Sequence, residues 1–195
     1  MKIYGLTGGI ASGKSAASAR FIEQGVPVID SDALGHTVIE PGGPAFDTVV
    51  DAFGGDILAD GKIDRAKLGE IVFNDKDALK KLSGMIHPAV GLETKRLCDQ
   101  YQQEGHPATI IEAALHAEDG TLRPGLDALI LVICPDPIRI QRLNTDRGLT
   151  EEEALARIQS QTPPEKKVDL AKWIIHNDQD IQHLHNQVDQ ILKEL

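Results

Sequence analysis

The sequence is poor in cysteine and in aromatic residues, and both shortages narrow the protein's class. Only two cysteines occur among 195 residues, Cys98 and Cys134, and aromatic residues make up 4% of the chain. The two cysteines are far apart and in no metal-binding or redox spacing, which fits a reduced, cytoplasmic setting. Since hydrophobic residues still reach 41%, the core is expected to be aliphatic.

Long apolar runs and an excess of positive charge are also missing. The longest apolar run, Ala128 to Cys134, is far too short for a membrane span, and the start reaches Gly5 too soon for a signal peptide. The formal net charge is −10, which argues against binding to nucleic acid or to a membrane surface. We therefore expect a small-molecule substrate, no nucleic acid, no membrane, and a monomer or weak homo-oligomer.

The most informative segment is Gly8–Ser15, which fits the pattern G-x-x-x-x-G-K-[ST] between an apolar strand-like run and a helix-like run. Glycines let the backbone curl so that N–H groups point at one phosphate cluster, beside the positive end of the following helix. Lys14 supplies a mobile positive charge, and Ser15 offers a hydroxyl to Mg²⁺ on the nucleotide. The alternative is a glycine-rich turn that matches by chance.

Five short apolar segments are typical of buried parallel strands, with helix-like stretches between them. The predicted strands are 2–6, 26–29, 108–111, 128–134 and 173–175. This alternation predicts an α/β fold, a P-loop NTPase with a doubly wound five-stranded parallel sheet. We expect one domain whose core comprises residues 1–32, 106–138 and 162–195. The tail, 179–195, has helical spacing and is assigned to core packing.

The stretch between Asp32 and Ala108 is far longer than one crossover helix needs. Its pattern predicts several helices separated by turns, among them a break at His87-Pro88. The predicted helices are 33–40, 44–53, 65–72, 76–85 and 88–104. Residues 33–105 therefore form a helical insertion, which either holds a second substrate or is a structural cap.

Residues 139–161 are predicted to form a helical lid. Two helices joined by a polar loop, Asn144 to Leu149, are expected, and the second begins near Glu151 because Thr150 and Glu153 form a capping-box pattern. A lid arginine stabilises charge on a transferred phosphoryl group. We assign that role to Arg142 and Arg147.

A third lid arginine, Arg139, is expected on a solvated helix face. Outside the lid, Asp30 and Asp32 follow the second predicted strand, where side chains face the ligand crevice of an open parallel sheet. One of these carboxylates can accept a proton from a substrate hydroxyl, and either can hold Mg²⁺ through water. The alternative is a helix cap.

Together these residues resemble the dephospho-CoA kinase family over nearly the whole chain. The matching motifs are Gly5–Ser15 for G-L-T-G-G-I-G-S-G-K-S, Asp30–Asp32 for D-A-D, Glu40–Ala45 for E-P-G-x-P-A, Ile86–Pro88 for I-H-P, Arg157–Gln161 for R-I-x-x-Q, and Ile174–Asn177 for V-I-x-N. The resemblance implies transfer of the γ-phosphate of ATP to the 3′-hydroxyl of dephospho-CoA.

The resemblance also implies the roles of single residues. Asp32 matches the general base, while Lys14, Arg142 and Arg147 fall where the family places phosphate-binding cations. Thr7, His87 and the insertion would face the acceptor, and Asn177 would lie near the adenine edge. The loop residues that would wrap the ATP phosphates are Gly9, Ala11, Ser12, Gly13, Lys14, Ser15 and Ala16, with Ser15 on Mg²⁺.

Three positions depart from the family pattern. Ala11 stands where the family usually has glycine, so the loop must hold a negative φ there or carry strain. Ala114–Glu118 replaces P-L-L-x-E, and Ala171–Trp173 replaces A-D-x. Two alternatives stay open: another small-molecule kinase acting on a nucleoside or sugar acid, and a nucleotide-binding regulator without turnover.

Overall fold

A computed structural model describes residues 1–114, 116, 117 and 120–195. The described chain contains seven strands and nine α-helices. The strands are β1 (Lys2–Gly8), β2 (Val28–Asp30), β3 (Leu58–Ala59), β4 (Lys62–Ile63), β5 (Ala108–Glu112), β6 (Ala128–Ile133) and β7 (Ala171–His176). The helices are α1 (Lys14–Glu23), α2 (Ser31–Thr37), α3 (Phe46–Phe53), α4 (Arg65–Asn74), α5 (Lys76–Gln103), α6 (Asp136–Arg147), α7 (Glu151–Gln159), α8 (Glu165–Val168) and α9 (Ile181–Leu192).

The chain divides into two compact units. The core unit comprises Met1–Asp30 and Tyr101–Leu195, and the insertion unit comprises Ser31–Gln100. The finer division into core, acceptor-binding insertion and lid remains a prediction.

The core unit is built on a five-stranded sheet in the order β2-β5-β1-β6-β7, and every pair in it is parallel. This confirms the predicted α/β class and the five strands. The central strands are almost wholly buried because helices cover both faces, as their continuous apolar sequences require. Phe21 of α1 and Leu184 and Val188 of α9 are fully buried against the sheet, so the tail helix does pack on the core.

The insertion unit has an apolar core of its own. Its buried side chains come from every helix of the unit except α2, and from the segments that connect them. They are Val38, Ile39, Ala45, Val49, Ile57, Leu68, Val72, Leu82 and Ala89. A two-residue hairpin, β3 and β4, turns at Asp60-Gly61, where the sequence predicted only a turn.

The predicted helix break at His87-Pro88 is wrong, because α5 runs unbroken from Lys76 to Gln103 with Pro88 inside it. Proline removes a backbone donor and usually ends or kinks a helix. Here Leu82 and Ala89, on either side of Pro88, are both buried in the core of the insertion unit. We attribute the continuity of α5 to this packing, since tertiary contacts override local propensity.

The predicted loop from Asn144 to Leu149 is also too long. The helix α6 continues to Arg147 and ends at Gly148, which has a left-handed φ of 64°. The Asn144 side chain donates to Leu149 O at 2.8 Å and satisfies a carbonyl just beyond the helix end. The capping box of Thr150 and Glu153 is present at the start of α7, as predicted.

Candidate active site

The loop predicted to bind phosphate follows β1 at the carboxyl edge of the sheet. Strand β1 lies between β5 and β6 in the sheet. The chain first adds β2 and β5 on one side of β1, and it then crosses over to add β6 and β7 on the other side. This is a topological switch point, where open α/β sheets bind their ligands. The N-terminus of α1, with Gly13 as its N-cap, lies at the same place.

Side-chain donors hold five successive carbonyl groups of the loop. The hydrogen bonds run from Lys14 Nζ to Gly8 O (2.9 Å) and Gly9 O (3.2 Å), from Arg139 Nε to Ile10 O (2.9 Å), from Arg142 Nη1 to Ala11 O (3.2 Å), and from Asn177 Nδ2 to Ser12 O (2.8 Å). In a planar trans peptide the carbonyl and the N–H point in opposite directions. Fixing the carbonyls on donors therefore fixes the direction of the amides, which is what an anion-binding loop requires.

Two residues of the loop have left-handed backbone conformations. Gly13 has a φ of 100°, and a Cβ added to it would collide with the amide of Asn177. Ala11 has a φ of 58°. The loop therefore does not hold a negative φ at Ala11 but carries strain there. For an L-residue in this region the strain is about 1–2 kcal/mol.

Arg139 is not on a solvated face, so that prediction is wrong. It is only 4% exposed, and its guanidinium pairs with Asp136 at 2.9 Å while its Nε holds the loop carbonyl of Ile10. A helical pattern places a residue on a face, but it does not say that this face of α6 packs on another loop. The signal that was available is the position of Arg139 in the first turn after a central strand, facing the carboxyl edge.

The helices α6 and α7 pack on the phosphate loop through an apolar cluster. Leu143, Ala154 and Ile158 are buried together, and Ile10 and Ala11 of the loop pack against them. The predicted lid is therefore joined to the loop by apolar contacts as well as by hydrogen bonds.

A cavity of about 620 Å³ opens beside Gly9 in the core unit. Its walls come from the ends of β6 and β7, from the start of α6 and from the segment after α7. Its lining residues include Cys134, Asp136, Arg139, Gln161 and His176. None of these five was predicted from the sequence as a site residue, although their places after strand ends and in the R-I-x-x-Q motif were the available signals.

Two residues at or beside this cavity, Cys134 and Asn177, are buried and contact residues of the lid or the loop. Burial raises the pKa of the Cys134 thiol, which lies 3.5 Å from a guanidinium nitrogen of Arg142. Asn177 is buried and braces the loop through Ser12, while its neighbours His176 and Asp178 line the cavity.

The remaining predicted site residues differ in burial and in the unit to which they belong. Thr7 is fully buried in β1, and its Oγ1 donates to Ala114 O at 3.2 Å. Ser15 is exposed in the first turn of α1, and Arg147 is exposed at the end of α6. Asp32, two residues beyond β2, and His87 of α5 are exposed residues of the insertion unit. Their catalytic and binding roles remain predictions.

The altered segment after β5 is described only in part. Leu115 and Glu118 lie outside the described residues. His116 is buried, with Nε2 3.0 Å from Ile111 O, so the residue that replaces a leucine packs inside the core unit. At the other altered segment, Trp173 packs edge-on against Tyr4 and donates to Glu194 at 2.9 Å, toward the start of β7.

The described residues contain no group of three or more His, Cys, Asp or Glu side chains that could hold a metal ion. What they do offer is the exposed hydroxyl of Ser15 beside the helix N-terminus. This donor set fits Mg²⁺ only when phosphate oxygens complete the coordination, as is usual for nucleotide-bound magnesium. None of the described helices is long and apolar enough to cross a membrane.

A doubly wound parallel sheet with G-x-x-x-x-G-K-S at its switch point defines a P-loop nucleotide-binding protein. The dephospho-CoA kinase family model matches residues 2–183, and the chain belongs to that family. The dephospho-CoA kinase of Bacillus cereus is 41% identical over 192 residues, which cover 98% of this chain and 96% of the relative.

Solved structures agree with this assignment. A crystal structure of a Thermus thermophilus protein has a TM-score of 0.79 at 30% identity and covers 100% of this chain and 97% of its own. The dephospho-CoA kinase from Campylobacter jejuni has a TM-score of 0.68 at 26% identity, over 99% and 96% of the two chains.

Proposed function

We propose that this protein transfers the γ-phosphate of ATP to the 3′-hydroxyl of dephospho-CoA, giving CoA and ADP, the last step of coenzyme A synthesis. The observation that carries the proposal is the loop whose carbonyls of residues 8–12 are all held by side-chain donors, in a chain of the dephospho-CoA kinase family. A loop fixed in this way suits the triphosphate of a nucleotide.

The nucleotide is proposed to lie along the carboxyl edge of the core unit. Its phosphates are held by backbone groups of Gly9 and of residues 11–16 and by the Lys14 side chain, while its nucleoside enters the cavity of about 620 Å³ beside Gly9. Asn177 lies at the adenine edge, where its side chain holds the loop through the Ser12 carbonyl. Ser15 holds Mg²⁺, which neutralises charge on the phosphates when it is bound.

Transfer moves one phosphoryl group between two oxygens. The 3′-oxygen of the acceptor forms a bond to the γ-phosphorus, the bond to the β,γ-bridging oxygen breaks, and ADP leaves. Asp32 takes the proton of the attacking hydroxyl, since a carboxylate just beyond a strand end is the group available for that role. Arg142 and Arg147 stabilise the charge that develops on the transferred group.

The acceptor is proposed to bind through Thr7, His87 and the insertion unit. We propose a cytoplasmic enzyme that acts as a monomer or weak homo-oligomer, without nucleic acid or membrane partners. The two free thiols, Cys98 and Cys134, are compatible with a reducing compartment.

The experiment is ADP release from Mg-ATP with dephospho-CoA, beside adenosine, shikimate, gluconate and no acceptor. Fast release with dephospho-CoA alone, with CoA as the second product, is the expected result. Release with another acceptor and none with dephospho-CoA would assign the protein a different substrate. ATP binding without release for any acceptor would indicate a regulator.

A further inference from the structure

One residue of the phosphate loop has both of its backbone groups held by side chains from the α6–α7 region. The Ile10 carbonyl accepts from Arg139 Nε at 2.9 Å, and the Ile10 N–H donates to Gln161 Oε1 at 2.6 Å. Arg139 lies in the first turn of α6, and Gln161 lies just after α7. The two ends of the helix pair therefore meet on the same residue of the loop, and they hold the two peptide units on either side of its Cα.

The Arg139 side chain and the Gln161 backbone are themselves held in place. The guanidinium of Arg139 is buried and pairs with Asp136 at 2.9 Å, and the backbone N–H of Gln161 donates to Ile158 O at 3.2 Å. A Cβ on Gly9 would lie 3.2 Å from Gln161 Oε1 and closer still to the Arg139 guanidinium, so this glycine leaves the space that both occupy.

We propose that Gln161 and Arg139 form a clamp on Ile10, and that Gln161 is a positioning residue for phosphate binding. Gln161 accepts from the Ile10 N–H, which turns this amide away from the phosphates, while Arg139 on the Ile10 carbonyl sets the direction of the Ala11 amide that follows. The same bond ties the end of α7 to the loop, so that the helix pair that carries Arg142 and Arg147 stays in register with the phosphates.

The clamp would affect phosphate binding through the conformation of the loop. A direct contact between Gln161 and the nucleoside would affect only ligands that have a nucleoside. Gln161 also lines the cavity of about 620 Å³, so removing its side chain could weaken ATP binding by either route. Inorganic tripolyphosphate has the phosphates without the nucleoside and separates the two. The proposal rests on the proposed binding of ATP but not on the identity of the acceptor.

The test compares wild type with Gln161→Ala, Gln161→Met and the control Gln141→Ala, an exposed glutamine of α6. Calorimetry gives the affinities for ATP and for tripolyphosphate, and NMR hydrogen exchange gives the opening rate of the Ile10 amide. Both Gln161 variants should lose about tenfold in affinity for both ligands, because the part-buried Ile10 N–H loses the acceptor that fixes its direction. Exchange at Ile10 should accelerate in both, and Gln141→Ala should match wild type.

The two Gln161 variants separate hydrogen bonding from packing, since Met fills the space but accepts no comparable hydrogen bond. Because Gln161 is only half-buried, the urea midpoint should stay close to that of wild type. Three results would each overturn the clamp. One is a loss of ATP affinity with an unchanged affinity for tripolyphosphate. The others are wild-type affinity in Gln161→Met and an unchanged exchange rate of the Ile10 amide. Absence of ATP binding by wild type would instead refute the proposed function. The exchange rate of the Ile10 amide in the variants would still test the clamp.

Discussion

The two units differ in how polar groups are used inside them. The core unit contains every described polar or charged residue that is buried, namely Thr7, Ser12, Ser18, Thr109, His116, Arg139, Lys167 and Asn177. Residues 31–100, all of which are described, have a core of apolar side chains alone. The same chain therefore builds one unit with internal polar networks and another by apolar packing.

The difference shows what the polar interior is for. Burying a polar group costs free energy unless it is hydrogen-bonded, so such groups persist where they fix a geometry that apolar contacts cannot fix. Arg139 and Asn177 hold carbonyls of the phosphate loop, and Ser18 donates to Glu112 at 2.5 Å beside it. In the insertion unit, the candidate groups Asp32 and His87 lie on the surface. We therefore expect the core unit to orient backbone groups for the nucleotide and the insertion unit to present side chains.

The largest expected effect breaks the chemistry without disturbing the polar interior. Asp32→Asn removes a proton acceptor from the surface of the insertion unit, so the rate of phosphoryl transfer should fall by roughly 10²–10⁴-fold. ATP affinity should stay nearly unchanged, because the substitution removes a base that acts on the acceptor and adds no bulk. Single-turnover kinetics and calorimetry measure the two quantities.

The matched control for this change is Asp51→Asn, since Asp51 is an exposed aspartate of α3 in the same unit. It should behave as wild type. Turnover at the wild-type rate in Asp32→Asn would remove Asp32 from the mechanism.

A substitution made once in each unit sharpens the comparison. Gly13 and Gly61 both have positive φ, 100° and 77°, but a Cβ on Gly13 would meet the Asn177 amide while one on Gly61 would meet open space. Gly61→Ala should therefore cost about 1 kcal/mol of stability, the strain at φ alone. Gly13→Ala adds displacement of Asn177 and should weaken ATP binding by at least about tenfold, from strain of roughly 1–3 kcal/mol at the loop.

Urea unfolding and ATP calorimetry on both variants measure these effects. If Gly61→Ala impaired ATP binding as much as Gly13→Ala, the effect would not be specific to the loop.

A smaller effect is expected from relieving strain. Ala11→Gly removes an L-residue from φ 58° and should stabilise the protein by about 0.5–1 kcal/mol, the strain of roughly 1–2 kcal/mol less the extra entropy of unfolded glycine. Asp60, at φ 51° in the hairpin of the insertion unit, belongs to a residue type that tolerates this region. Asp60→Gly should therefore give little or no gain.

Urea unfolding of the two variants supplies the comparison. An equal gain at both positions would mean that the loop carries no more strain than an ordinary turn.

The two cysteines provide the mildest probe, one in each unit. Burial raises the pKa of both thiols, so a thiol reagent should label the native protein slowly near pH 8 and faster only as pH rises well above the ordinary cysteine pKa. Cys134 lines the cavity proposed for the nucleoside, while Cys98 is buried in α5.

Mg-ATP should slow the labelling of Cys134 and leave that of Cys98 unchanged, which mass spectrometry of labelled peptides can measure. Protection of neither thiol would argue that the nucleoside binds away from this cavity.

Patterns with a local physical cause were predictable from the sequence. The buried strands appear as apolar runs, and the capping box of Thr150 and Glu153 starts α7 because both partners lie within one turn. The break predicted at Pro88 was wrong for the opposite reason, since what keeps α5 continuous is packing of Leu82 and Ala89 against residues distant in sequence.

The sequence by itself determined the five parallel strands, their order along the chain and the loop that binds phosphate, since apolar runs and the glycine, lysine and serine of the loop act over a few residues. Only the tertiary structure decided that Arg139 is buried, that Ala11 is strained, and that Gln161 and Asn177 hold the loop from 151 and 165 positions away. Those outcomes depend on which side chains the fold brings against the loop carbonyls and amides, and no local pattern encodes that proximity.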